Sequence, residues 1–96
     1  MAFVTQFEEK IGLESNKFLL PDVCSVGVKC PNGNTAQVWI CLASKADIET
    51  HNESENSWFH YKDVAAGDDW VIHFDPAPSA IQIRAGTGTR KSLYIR

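Results

Sequence analysis

Along most of the chain, apolar and polar residues alternate with a period of two. Cys24, Val26, Val28 and Cys30 alternate with Ser25, Gly27 and Lys29, and Ala36, Val38, Ile40 and Leu42 alternate with Gln37, Trp39 and Cys41. The same pattern sets Trp70, Ile72 and Phe74 against Val71 and His73, Ile81 and Ile83 against Gln82 and Arg84, and Leu93 and Ile95 against Tyr94. Successive side chains of a strand point to opposite faces. The pattern therefore predicts antiparallel strands with one face on a core and the other in water. Residues 57–62 and 17–20 add two further strand candidates.

Turn residues fall between these segments: Pro31-Asn32-Gly33-Asn34, Ala66-Gly67-Asp68, Asp75-Pro76-Ala77-Pro78 and Gly86-Thr87-Gly88-Thr89. Residues 44–56 are polar and acidic and read as a surface loop or a frayed helical turn. Near the N-terminus, Thr5-Gln6-Phe7-Glu8 has the form of a helix-capping box, with Phe3, Phe7 and Ile11 on one helical face and Gly12 to end it. The same residues also fit a strand through Phe3, Thr5 and Phe7. About seven short strands with turns every ~8–12 residues predict an all-β domain, a small antiparallel β-sandwich or jelly roll. Its 96 residues fit one domain, with 1–16 as an arm or short helix ahead of a sandwich over 17–96.

All three cysteines lie within residues 24–41. If the PNGN segment closes a hairpin, one register pairs Cys30 with Ala36, Val28 with Val38, Val26 with Ile40 and Cys24 with Leu42. That register makes one face wholly apolar and lays Trp39 over Gly27. Cys24 and Cys30 then sit about 20 Å apart along one strand, beyond the ~7 Å that a disulfide spans. Cys41 faces the other way. Three free thiols and no zinc site are expected.

Hydrophobic residues make up 44% and charged residues 22%, a globular balance. No apolar run is long enough to cross a bilayer as a helix. The N-terminus carries no basic segment followed by an apolar stretch, so the expected location is the cytoplasm, or a particle assembled from a host cytoplasm. The net charge of −3 is unevenly spread: residues 1–75 hold all twelve acids and five of nine bases, and the remainder holds only Arg84, Arg90, Lys91 and Arg96. A basic hairpin tip over 86–90 follows if Ile81 pairs with Ile95 and Ile83 with Leu93. A sequence pI near 5.5 argues against nucleic acid as the main partner. The acids and histidine at Asp68, Asp69, His73 and Asp75 read as a solvated strand edge rather than a cation site.

No nucleophile, base and orienting group can be assembled from the spacing, and no cofactor motif occurs, so a non-enzymatic role is expected. The candidate contact residues are Trp39 and Gln37 on an outward face, with Arg84, Arg90, Lys91 and Tyr94 around the basic tip. The expected function is that of a structural or assembly subunit, one of many copies in a larger particle such as a viral capsid, tail or cement layer. Its partners would be proteins, its own copies included. A carbohydrate-binding module resting on aromatic platforms is one alternative. A small inhibitor or regulator acting through the acidic stretch 47–55 is the other.

Overall fold

The computed structural model describes residues 6–96. The strands are β1 (Gln6–Ile11), β2 (Phe18–Leu19), β3 (Cys24–Lys29), β4 (Ala36–Cys41), β5 (Trp58–Val64), β6 (Asp69–Phe74), β7 (Ala80–Arg84) and β8 (Lys91–Ile95). One short helix, α1 (Lys45–Glu49), and a 3-10 turn, Glu55–Ser57, lie between β4 and β5. Both start on serines: the hydroxyl of Ser44 accepts from the Asp47 amide and that of Ser54 from the Asn56 amide.

The strands form two four-stranded antiparallel sheets, ordered β1-β8-β3-β6 and β2-β7-β4-β5. Among the described residues, β4 and β5 are the one pair both consecutive in the chain and hydrogen-bonded. Every other connection crosses from one sheet to the other. Eight strands wound in this order make a jelly roll, and the all-β sandwich expected from the alternation is the observed fold.

The alternation places most side chains correctly; Leu42, grouped with the core face, instead follows the end of β4 and is 61% exposed. Val26 and Val28 of β3, Leu93 and Ile95 of β8, Val38 of β4, and Ile81 and Ile83 of β7 are buried between the sheets, with Ile11 and Val64 from the edge strands. Trp70 and Ile72 of β6 are partly buried and pack against this core. Burying such residues on the inner faces supplies the main driving force for folding.

Three further expectations are corrected. β3 and β4 do not pair: β3 lies between β8 and β6, and β4 between β7 and β5. Val28 and Val38 thus share the core from opposite sheets, and Gly27 lies opposite Tyr94 and Val71, not Trp39. The reason lies in the connection. Asn34 is buried, its amide donates to the carbonyls of Pro31 and Asn32, and its Oδ1 accepts from the Arg90 amide. The segment is a sheet-to-sheet crossing tied to the chain ahead of β8. For the same reason β7 and β8 form no hairpin, since β7 pairs with β2 and β4 while β8 pairs with β1 and β3. Third, the described part of the capping-box segment, Gln6–Ile11, is a strand; Phe3 and Thr5 lie outside the described residues.

Candidate functional site

The two outer faces of the sandwich differ. On the sheet β2-β7-β4-β5, the chain itself covers much of the outer face, although His60 of β5 stays exposed. Ile48 of α1 packs with Cys41, Trp58 and Ala80 in a second apolar cluster, against which Trp39 and Leu19 lie partly buried. Beside it stands a stack of rings and cations. The Trp39 ring is 5.2 Å from that of His60, nearly parallel, and 4.9 Å from the Arg84 guanidinium. His60 comes from β5 and Arg84 from β7, the two strands flanking β4. Trp39 Nε1 donates to Gln37 Oε1 at 3.1 Å, and Arg84 Nε donates to Gln82 Oε1 at 2.7 Å.

Arg84 also lies 4.7 Å from the Trp58 ring and forms an ion pair with Glu55 in the 3-10 turn. Lys17 sits over the other part of this layer, 5.6 Å from the Trp58 ring and 2.8 Å from Glu53 Oε1. That hydrogen bond holds the Glu53 carboxyl below its usual pKa, against the opposing effect of burial. The expected contact residues Trp39, Gln37 and Arg84 do come together, and they bind one another.

The basic tip is not assembled. Lys91 is wholly buried, with its ammonium donating to the carbonyls of Thr35 and Ala85, each at 3.0 Å. Burial pulls its pKa below the ordinary lysine value. Lys91 is therefore a structural tie across the sheet-to-sheet connections. Arg90 is exposed and lies by Glu9, Lys10 and Ser92 at one corner of the other sheet. A bulge in β1 between Glu8 and Ile11, with Lys10 at φ 55°, brings Glu9 and Lys10 to that corner.

Tyr94 marks the open face of the sheet β1-β8-β3-β6. The register places Phe7 opposite Tyr94, Tyr94 opposite Gly27, and Gly27 opposite Val71. One cross-strand row thus traverses all four strands. Phe7 and Tyr94 touch, with ring centres 4.5 Å apart. Val71 is 75% exposed, the most exposed of the large hydrophobics among the described residues. Between Tyr94 and Val71, the missing side chain of Gly27 leaves a shallow depression of about 440 Å³, lined also by Trp70, Lys29 and Asp69. On one side the next row carries Lys29 opposite Asp69; on the other, Ser25 Oγ meets His73 Nδ1 at 3.1 Å.

Cys24, Cys30 and Cys41 are all free and buried. Burial pushes the thiols of Cys24 and Cys30 above the ordinary cysteine pKa. A thiol so placed is a poor nucleophile. Among the described residues no group of three or more His, Cys, Asp or Glu side chains converges to hold a metal ion. Comparison of the chain with family models, curated proteins and solved structures gives no match.

Of this row, the sequence marks Tyr94 as a candidate contact residue and does not mark Phe7, Gly27 and Val71 as its neighbours. The alternation had marked Gly27 and Val71 as outward; only the strand order reveals that they share one row with Phe7.

Proposed function

We propose that the protein is a non-enzymatic structural subunit that works by protein–protein contact through the open face of the sheet β1-β8-β3-β6. In this reading it is one of several copies in a larger assembly, of the kind found in a viral capsid, tail or cement layer. One observation carries the reading: the row Phe7–Tyr94–Gly27–Val71 crosses the whole sheet with its large side chains exposed. Apolar rows with polar rims favour macromolecular contact. The opposite outer face is occupied by α1 and by the Trp39–Arg84–Trp58 stack, which directs the contact to the open sheet. Jelly rolls recur in capsid and lectin domains, an association of fold only.

The other two readings draw less support. A sugar-stacking platform centred on Trp39 is disfavoured, because His60 and Arg84 pack against that ring. In the acidic stretch, Glu53 and Glu55 already hold Lys17 and Arg84. The assembly reading is tested by sedimentation of the protein alone and in extracts of its natural source. Oligomers or co-sedimentation with a large particle are expected; a monomer with no companion in both samples contradicts the reading.

A further inference from the structure

We propose that the open face of the sheet β1-β8-β3-β6 is a self-complementary surface on which a second copy of this chain docks about a two-fold axis running parallel to the strands, between β3 and β8. The proposal rests on the assembly reading above and names the partner.

A two-fold axis in that position lays β3 of one copy over β8 of the other, and β6 over β1, while each cross-strand row stays in register with itself. The Tyr94 ring of each copy then enters the depression left by Gly27 in its partner. Val71 of each copy meets Phe7 of the other. The contact is isologous, made twice by the same residues, and two sheets face each other as in aligned sheet packing.

The charges at the edges fit the same operation. At the end of the sheet where Lys29 lies opposite Asp69, the β6 edge carries Asp69, with Asp68 preceding it in the chain. At the same level on the β1 edge, Lys10 and Arg90 gather with Glu9 around Ser92. Counting Lys29 with the two aspartates and Glu9 with the two bases, one corner is net acidic and the other net basic. The two-fold brings the acidic corner of each copy over the basic corner of the other. With its edges exchanged or its row reversed, the face would lose one of these two matches.

Four strands about 4.8 Å apart and roughly 20 Å long make a face of modest area. An interface of this size falls at the low end for specific contacts, where weak and transient association is the rule. Single copies in dilute solution and dimers in concentrated solution are both expected.

Charge-swapped chains test the geometry. One chain carries Asp69→Arg; a second carries Lys10→Glu and Arg90→Glu. All three positions are exposed, and matching thermal melts establish that each variant is folded. In sedimentation velocity, each variant alone places like charges at both corners and stays monomeric at concentrations where the unaltered chain dimerises. Mixed in equal amounts, the two variants pair opposite charges at both corners and recover the dimer. Raising the salt concentration weakens this recovery. Variants that dimerise alone as well as the unaltered chain, or a mixture that stays monomeric, overturn the proposed axis while leaving assembly through another surface standing. An unaltered chain that remains monomeric throughout also overturns the proposal; if it still co-sediments with a particle from its source, the assembly reading survives with a different partner.

Discussion

The ammonium of Lys91 lies 3.0 Å from the carbonyl oxygen of Thr35 in the interior of the protein. Lys91 opens β8, and Thr35 lies between β3 and β4, so the bond ties two sheet-to-sheet crossings together. Ala85 supplies the second acceptor. Lys91→Met keeps much of the stem but leaves both carbonyls without this donor. Such losses cost about 1–3 kcal/mol, measured as a lower denaturant midpoint.

The same lysine gives stability a pH dependence. Its folded pKa lies below the ordinary 10.5 because burial disfavours the cation. Between the folded and unfolded values the unfolded chain binds more protons, so Lys91 makes stability rise with pH across that window. The buried thiols of Cys24 and Cys30 act in the opposite sense. Their folded pKa values lie above 9.0, so unfolding releases protons and stability falls as pH rises above the unfolded thiol value. Subtracting the Lys91→Met profile from that of the unaltered chain isolates the rising contribution. A flat or falling difference up to 10.5 would contradict it.

The three thiols are enclosed in the native protein. A bulky disulfide reagent should find them unreactive on the time scale of mixing, and all three should titrate after denaturation under non-reducing conditions. Rapid reaction of Cys41 in the native state would mean that the α1 layer does not cover β4.

Two glycines should respond very differently to alanine. A Cβ on Gly86, where φ is +93°, would stand 2.2 Å from the Thr35 carbonyl oxygen. Both backbone strain and collision act there, and Gly86→Ala should fold poorly. A Cβ on Gly12 meets nothing within 4 Å. Gly12→Ala should leave the melting temperature within a degree or two, since surface changes of this kind usually stay within about 0.5 kcal/mol.

A core and a face residue should separate stability from association. Leu93 is fully buried and Val71 is 75% exposed. Leu93→Ala should cost about 2–5 kcal/mol in chemical denaturation. Val71→Ala should leave stability nearly unchanged yet weaken self-association. Equal loss of stability in both would place Val71 in the fold's support rather than on its contact face.

These contrasts also mark what the chain's local pattern conveys. Inward and outward positions were legible at Val26, Val28, Val38, Ile81 and Leu93, because alternation is a property of each strand alone. Partners were not. The PNGN segment has hairpin chemistry, but burial of Asn34 and its bond to the Arg90 amide, 56 residues away, turn it into a crossing. Charge misled at Lys91 for a related reason: no local pattern shows two carbonyls converging to receive a buried ammonium. Trp39 was legible as outward-facing. Its cover was not, because His60 reaches it through a register shift between β4 and β5, and Arg84 from a strand more than forty residues away.

The most direct test of the open sheet as the contact face is a concentration series of residue-resolved amide spectra on the isotopically labelled protein. Concentration-dependent shifts should gather on Phe7, Gly27, Val71 and Tyr94 and at the corners around Lys10 and Asp69. Shifts gathered instead on Trp39, His60 and Arg84, or spectra that do not change with concentration, would contradict it.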